Sequence, residues 1–309
     1  LTVMKTLTEQ INEVMTSKKS QTEKRAELVK IGLTNIDVTR LFQIAKSNAP
    51  RRERRNTLAQ TIRQIVKTMT FGVEIECYNV YQSSLIDAAN RNGLTMYSEG
   101  YNHRDNNHYY KLVSDSSIRG AYPIECVSPI LMGNERGFNS LEACCNSLNE
   151  IGARTNQSTG LHIHIGYSNM TDAQYVSTFI NYQKLESVIN SFMPAHRRDT
   201  YWAQSLQRYN FTNCLNQHDV ASVMHYDRYH AVNCESWSRH HTIEFRQHNG
   251  TTNYKHIAMW AMFCLKLVAW SANNRLENNI TSIDDIPFLT ATEKNHFKAR
   301  QNRFASVEA

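Results

Sequence analysis

The sequence contains no uninterrupted apolar run of about 18 residues, the length that a membrane-spanning helix requires. Its first residues also lack the succession of basic, apolar and small residues that defines a secretory signal peptide. We therefore expect a cytoplasmic protein with no membrane partner. The 309 residues, 41% of them hydrophobic, are enough for one large domain or for a domain with an appendage.

Cysteine pairs and glycine-rich loops are also missing. The seven cysteines form no C-x-x-C pair, so neither a disulfide framework nor a structural zinc site is indicated, and we expect reduced, mostly buried thiols. Neither G-x-x-x-x-G-K-[ST] nor G-x-G-x-x-G occurs among the eleven scattered glycines. A nucleotide would therefore have to be held without either loop.

Positive charge is concentrated near the N-terminus, where residues 1–70 hold 14 Lys and Arg against 6 Asp and Glu. Much of the excess falls in residues 51–67, where the apolar spacing predicts an amphipathic helix with a basic face. Such a face is either simply solvated, which we favour, or a docking surface for an acidic partner. We expect at most weak, salt-sensitive binding of nucleic acid.

The pattern of the chain predicts an α+β fold with three parts: a helical extension over 1–69, a catalytic domain over 70–280, and a helical tail over 281–309. Strands are predicted at 70–79, 94–99, 107–114, 122–128, 159–167, 228–233 and 241–248. Helices are predicted at 134–151, 171–192, 198–208, 216–226 and 253–274. Because hairpins replace regular βαβ alternation, an antiparallel or mixed sheet with helices on its apolar face fits best.

Three predicted strands, in "FGVEIECY", "GLHIHIG" and "TIEFRQHNG", alternate apolar residues with chemically active ones. Because strand side chains alternate between faces, each strand collects its polar groups on one face. Those groups are Glu74 and Glu76, then His162 and His164, then Glu244, Arg246 and His248. They could line a solvated sheet face, but metal-ligand and phosphate-binding types favour a shared polar cavity.

The carboxylates indicate a cation site. Glu74 and Glu76 lie roughly 7 Å apart along a strand face, a spacing that suits neighbouring hard cations such as Mg²⁺ or Mn²⁺. With Glu125 and Glu244 the set needs cations for neutralisation, and Arg246 beside them would hold a transferring phosphoryl group. The alternative is a zinc-dependent hydrolase of amide or ester bonds, because H-x-H on a strand also binds transition metals.

Five segments together resemble the amidoligase family, carboxylate-amine ligases related to glutamine synthetase and glutamate-cysteine ligase. They are "FGVEIE", "KLVSDSSIRGAYPIECVSPIL", "STGLHIHIG", "RYHAVN" and "TIEFRQHNGT", and they span residues 70 to about 275. The resemblance implies a glutamine-synthetase-like fold, a curved antiparallel sheet with helices on one face, which binds ATP and Mg²⁺ or Mn²⁺. It implies transfer of the ATP γ-phosphoryl group to a carboxylate, then displacement by an amine.

The resemblance also implies roles for individual residues. The implied metal ligands are Glu74, Glu76, Glu125, His162 and Glu244, and the implied catalytic residues are Glu244 and Arg246. The implied nucleotide contacts are His164, Lys111, Arg228 and Arg246, with Asp115 and Asn233 at further polar positions of the family. The substrates would be amino acids, peptides or proteins, and the basic N-terminal region favours a macromolecular acceptor.

The segment 193–210 contains two arginines and two aromatic residues near the predicted cavity: Arg197, Arg198, Tyr201 and Trp202. They could form a lid over the nucleotide or the acceptor. They could equally belong to a surface helix with its aromatic pair in the core.

Overall fold

The computed structural model of the chain describes residues 7–34, 37–39, 61–100, 106–166 and 170–308. Its first helices are α1, Leu7–Thr16, and α2, Gln21–Lys30. Ser20 begins α2 with a capping box, in which its hydroxyl accepts the Glu23 N–H while the Glu23 carboxylate accepts the Ser20 N–H. A small apolar cluster centred on buried Leu28 holds this region together.

The predicted basic face falls largely on residues 51–60, which lie outside the described residues. Residues 61–66 are helical, and their side chains Ile62 and Val66 are buried in the main hydrophobic core. This part of the predicted amphipathic helix therefore packs as its apolar spacing indicates. Nucleic-acid binding by the basic face stays a prediction.

The main body is built on one mixed sheet. Its strands are β1 Thr70–Cys77, β2 Met96–Ser98, β3 Tyr110–Val113, β4 Ile124–Val127, β5 Leu131–Met132, β6 Gly160–Gly166, β7 Val232–Asn233 and β8 Thr242–Asn249. Their spatial order is β2-β3-β4-β1-β6-β8-β7, with β5 paired to β1. Only the β2–β3 pair is parallel among these described strands. The predicted α+β class with a mostly antiparallel sheet is confirmed.

Helices cover one face of this sheet. They are α3 Gln82–Arg91, α4 Glu135–Glu150, α5 Asp172–Ser191, α6 Gln217–Val223, α8 Tyr254–Ser271 and α9 Ala291–Glu308, with short 3-10 turns at Ala195–Arg197, Leu206–Arg208 and Ile283–Asp285. The five-residue α7, Ser236–His240, lies instead beside the polar face, where the His240 ring is 5.9 Å from that of His164. Side chains of Asn134, Thr171 and Asn253 cap α4, α5 and α8 by accepting first-turn N–H groups. The domain boundaries at 69 and 280 stay predictions.

The apolar side chains of the three patterned strands form the centre of the core. Val73, Ile75, Leu161, Ile163 and Ile165 are each no more than 1% exposed. Burial of one such side chain contributes about 1.5–3 kcal/mol to folding, so this alternation fixes which face of the sheet the helices cover. The opposite face is left for the polar side chains.

A β-bulge in β8 changes the face of its last residues. Three residue steps along β8, from Phe245 to His248, match two along β6, so the alternation reverses after Arg246. The His248 ring lies 5.7 Å from that of Trp260 in α8 and is fully buried on the helical side. The prediction that His248 shares the polar face with Glu244 is therefore wrong.

The predicted helix at 198–208 is also wrong, because only Leu206–Arg208 forms a 3-10 turn there. Asp199 has a φ of 48°, in the left-handed region, and its carboxylate accepts the Ser205 N–H at 2.9 Å and the Arg208 guanidinium at 2.7 Å. Such local bonds from an aspartate compete with a helix.

Two further predicted elements are shorter than expected. The strand predicted at 228–233 is limited to Val232–Asn233. The helix predicted at 216–226 ends at Val223, because His225 and Tyr226 have φ values of 57° and 55°.

All seven cysteines are free and buried, as predicted. Among the described helices, none combines the length and the apolar character needed to cross a bilayer.

Candidate active site

A cavity of about 1060 Å³ lies over the polar face of the sheet. All nine predicted ligand and catalytic residues line it: Glu74, Glu76, Lys111, Glu125, His162, His164, Arg228, Glu244 and Arg246. Asp115, Asn233, Arg197 and Trp202 line it as well. The structure therefore brings together residues that lie up to 172 positions apart in the sequence, while their individual roles stay predictions.

Strand register alone places the polar groups side by side. Glu76 lies opposite Glu125 in the β1–β4 pair, and Glu74 lies opposite His162 in the β1–β6 pair. His164 then lies opposite Glu244 in the β6–β8 pair. Directly opposed residues have Cβ atoms about 4.5–5.5 Å apart, so the four neighbouring strands β4, β1, β6 and β8 present a continuous polar row.

Glu74 is the centre of this row. Its Oε2 lies 2.9 Å from Nδ1 of His162, and its Oε1 lies 3.2 Å from Nε2 of His164. Burial raises the pKa of the Glu74 carboxyl, but the charge of His164 and hydrogen bonds from both histidines hold it well below its usual range. The same carboxylate raises the pKa of His164 against the effect of burial. Glu74 is therefore an anion shared by two imidazoles.

Glu244 is held by two donors on neighbouring strands. Its Oε1 accepts from Nη1 of Arg246 at 2.5 Å, and its Oε2 accepts from Nδ2 of Asn233 at 2.5 Å. Burial raises the pKa of Glu244, but Arg246 and the two histidines together bring it to about 2. The carboxylate is thus ionised and fixed in position.

Arg246 is 8% exposed and lines the cavity beside the Glu244 carboxylate. Burial lowers the pKa of the Arg246 guanidinium, but the Glu244 carboxylate raises it by more. The pKa of Arg246 therefore lies above its usual value. Its guanidinium carbon lies 5.9 Å from the centre of the Tyr229 ring. A permanently charged, oriented guanidinium of this kind suits a phosphoryl group.

The opposite end of the row is organised around Glu76. Its Oε2 accepts the Gly160 N–H at 2.6 Å, and its Oε1 lies 3.5 Å from Nε2 of His162. A Cβ atom at Gly160 would lie 3.1 Å from the Arg197 guanidinium and from Nε2 of His162. Gly160 therefore leaves room for these two side chains to approach the backbone of β6.

Glu125 is a carboxyl group in an anionic environment. Burial raises its pKa well above the usual range, and the charges of Glu74, Glu76 and Asp115 raise it further. Carboxylates packed this closely repel one another, and a bound cation would remove that repulsion.

Three groups of side chains offer ligand atoms that lie within 4.8 Å of one another. They are Glu74 with Glu125 and His162, Glu74 with His164 and Glu244, and Glu76 with Asp115 and Glu125. Within the described residues, no group combines the two histidines. A set dominated by carboxylate oxygens fits a hard divalent cation such as Mg²⁺ or Mn²⁺ better than zinc.

His164 carries a second sign of a metal site. Its Nδ1 lies 2.9 Å from Oγ1 of Thr242, and its buried Nε2 faces the carboxylates of Glu74 and Glu244 at 3.2 Å and 3.9 Å. An imidazole whose first nitrogen is held by a hydroxyl group presents its second nitrogen to a metal. The residues present therefore fit the cation that the family resemblance implies.

Aromatic residues lie at the exposed edge of the cavity. Tyr229 stacks on Tyr201 with ring centroids 5.3 Å apart, and Trp202 meets it edge-on at 5.1 Å. Tyr201 is 65% exposed and Trp202 44% exposed, so they are not the core pair of a helix. Arg197, by contrast, is buried and donates to the carbonyls of Arg246 and Gln247 in β8. A lid function for the two exposed aromatic residues stays a prediction.

Two residues near the site were missed by the sequence reasoning. Thr242 occupies the same face of β8 as Glu244, two residues earlier, so period-two alternation would have identified it. Tyr229 lies in the motif "RYHAVN", but nothing in the sequence indicates its position against Arg246.

The profile of a family described as "Putative amidoligase enzyme" matches residues 67–268, about two thirds of the chain. One solved structure, a bifunctional glutathione synthetase from Pasteurella multocida, aligns with 80% of this chain and 48% of its own. The identity is 13% and the TM-score 0.38, and this chain spans about half the length of that protein. No curated protein matches the sequence.

Proposed function

Because this chain belongs to the amidoligase family, we propose that it is an ATP-dependent ligase that joins a carboxylate to an amine through an acyl phosphate. One observation carries the proposal: three overlapping carboxylate-rich groups and the Arg246 guanidinium face a single large cavity. A volume of about 1060 Å³ is ample for a nucleotide and a second substrate. A glutamine-synthetase-like curvature of the sheet and a cytoplasmic location belong to the same proposal.

Glu74, Glu76, Glu125, His162 and Glu244 would hold the divalent cations. When bound, Mg²⁺ or Mn²⁺ would neutralise the polyphosphate and polarise the transferring phosphoryl group. Oxygen-rich ligation supports this choice over zinc, because the known catalytic zinc sites use more nitrogen or sulfur ligands. Lys111 and Arg228, which line the same cavity, would add positive charge around the nucleotide.

In the first step, an oxygen of the substrate carboxylate attacks the γ-phosphorus of ATP, the bond to the β-phosphate oxygen breaks, and ADP leaves. Arg246 would hold the equatorial oxygens of the transferring group, and its ion pair with Glu244 orients the guanidinium. His164, whose pKa is raised above the ordinary value in spite of burial, would contact the same phosphate oxygens as an imidazolium, or would bind a cation with Glu74 and Glu244 as a neutral imidazole.

In the second step, an amine attacks the acyl carbon, phosphate leaves, and the departing phosphate takes the amine proton. No protein nucleophile is required, in agreement with the buried state of all seven cysteines. The substrates would be amino acids, peptides or proteins with a free carboxylate or amine.

The test is to incubate the protein with ATP, Mg²⁺ or Mn²⁺, amino acids and cell extract, and to record ADP, phosphate and new amide masses together. Stoichiometric ADP and a mass equal to that of a condensation product are expected. Arg246→Ala and Glu244→Gln should each lose ligation while circular dichroism stays unchanged, and the exposed Arg136→Gln serves as the control. Hydrolysis of an amide or ester by the zinc-loaded protein, with ATP untouched, would reject the ligase.

A further inference from the structure

A second cavity, of about 340 Å³, lies outside the candidate active site. It is bounded by residues 155–157, the Ala195–Arg197 turn, the loop after β8, the first turn of α8 and the outer face of α9. The chemically active side chains in its lining are His196, His256, Arg300 and Arg303, with the amide of Asn249 beside them. The two histidines and two arginines lie outside the family motifs and take no part in the proposed chemistry, whereas Asn249 belongs to the motif "TIEFRQHNGT".

The charge of this second cavity has one sign. No carboxylate lines it, and among the described residues no ion pair involves Arg300 or Arg303. Arg300 is only 5% exposed, yet its guanidinium donates to neutral oxygens alone, the Phe192 carbonyl at 3.4 Å and Asn249 Oδ1 at 2.9 Å. Burying a guanidinium without a counter-charge is costly, so an anionic partner is the missing element.

Imidazole nitrogens in or beside this cavity also lack hydrogen-bond partners among the described residues. Nε2 of His196, Nδ1 of His256 and Nε2 of His296 are buried and have no hydrogen-bond partner among the described residues. His296 is 9% exposed, and its ring lies 5.2 Å from that of His256. Burial, followed by the charges of Arg300 and its neighbours, lowers the pKa of His256 to about 4. The neighbouring arginines thus keep these imidazoles neutral. A bound anion would offset the positive charge of the arginines, so that the imidazoles would take up protons and donate hydrogen bonds to it.

The N-terminus of α8 also favours an anion in this cavity. His256 lies in the first turn of this 18-residue helix, whose N-terminus carries a partial positive charge. Two arginines approach from α9, one helix turn apart, and His196 approaches from the Ala195–Arg197 turn. Donors that converge from three elements suit a tetrahedral oxyanion better than a planar carboxylate.

We propose that this cavity is a second ligand site, which binds the phosphoryl group of a small molecule through Arg300, Arg303, His196 and His256. Its volume lies at the small end of the range for ligand pockets, so the ligand is inorganic phosphate or a small phosphomonoester. The site does not depend on the proposed ligase activity, because its residues are separate from the carboxylate row.

The first test is proton NMR of the histidine ring resonances, assigned with His256→Asn and His296→Asn, over a pH titration of the full protein. Inorganic phosphate and glycerol 3-phosphate are compared with chloride at the same ionic strength. Either phosphate compound should raise the pKa of His256 by about 1 unit or more, because an adjacent dianion favours the imidazolium form. Equal effects identify free phosphate as the ligand, and a tighter effect of glycerol 3-phosphate identifies a phosphomonoester.

The second test locates the binding by calorimetry with the same two compounds. Arg303→Gln, at an exposed position on α9, should weaken binding about tenfold without unfolding the protein. Arg300→Gln should weaken it further if the variant folds. Arg136→Gln, an exposed arginine outside both cavities, is the matched control, and Arg246→Ala should leave the His256 response intact.

Three results would overturn the proposal. One is an equal histidine shift with chloride, which would indicate general screening. Another is the absence of any shift with about 10 mM of either phosphate compound, since binding weaker than this is not specific. The last is loss of the phosphate response in Arg246→Ala but not in Arg303→Gln, which would place the anion in the first cavity.

Discussion

The two cavities of this protein handle charge in opposite ways. In the first, carboxylates, imidazoles and a guanidinium lie side by side on four strands, and Glu74 and Glu244 each contact cationic partners. In the second, arginines and histidines from helices and loops meet without any acidic residue in the lining. The side chains of the first cavity therefore include both charges, which suits the joint binding of cations and a polyphosphate. The second cavity carries uncompensated positive charge, which suits an anion.

The strongest test of this contrast is Glu74→Gln. Glu74 belongs to two of the three potential metal groups and contacts both histidines, so its loss should reduce ligation about 10³-fold. Binding of Mn²⁺, followed by electron paramagnetic resonance, should weaken in parallel. The exposed Glu135→Gln is the control. Unchanged Mn²⁺ binding in Glu74→Gln would mean that the carboxylate row does not hold the metal.

The second cavity can be disrupted separately from the first by a change in the buried ion pair that joins α9 to α8. Lys266 in α8 is fully buried and donates to both carboxylate oxygens of Glu293 in α9 at 2.7 Å. Glu293→Gln leaves this ammonium group unpaired and should cost about 3–5 kcal/mol in the free energy of unfolding, measured with urea. The phosphate response of His256 should be lost, while Mn²⁺ binding by the first cavity persists.

The matched control for that experiment is the double variant Lys266→Met with Glu293→Leu. An apolar pair in the same space is expected to restore most of the stability. If the double variant is as unstable as Glu293→Gln, the loss comes from packing and not from the unpaired charge.

A smaller effect is expected at the support of His164. Thr242→Val keeps the size of the side chain but removes the hydroxyl that lies 2.9 Å from Nδ1 of His164. Because such a group orients a metal-binding imidazole, Mn²⁺ affinity should fall about tenfold, with the stability nearly unchanged. An affinity equal to that of the wild-type protein would show that His164 is oriented by other contacts.

The smallest effect concerns pH and the second cavity alone. The pKa values of His256 and His296 are lowered from 6.5 to about 4, first by burial and then by neighbouring cations. The unfolded chain therefore binds more protons between these values, so the contribution to stability is complete above pH 6.5 and is lost as the pH falls toward 4. Urea unfolding at several pH values should show this slope, and phosphate should reduce it.

A steeper pH dependence in phosphate than in chloride would contradict the preceding expectation. The double variant His256→Asn with His296→Asn provides the control, because it should remove the histidine part of the slope in both salts.

Alternation along individual strands made the first cavity predictable. Each of Glu74, His162 and Glu244 stands between two apolar residues, and that pattern places it on the face opposite the core. The family match over residues 67–268 confirms the resemblance that the same motifs indicated. His248 was misplaced because a β-bulge shifts the alternation by one residue, and no local pattern marks the bulge.

The sequence by itself determined the α+β class, the main strands, the family and the set of polar residues, because these depend on local periodicity and on motifs within single strands. Only the tertiary structure decided which of those residues face one another, since register is set by packing across strands. It alone also created the second cavity, because His196, His256 and Arg300 come from three separate elements and carry no common sequence pattern. Charge balance at such a place is a property of the assembled chain, and no segment contains it.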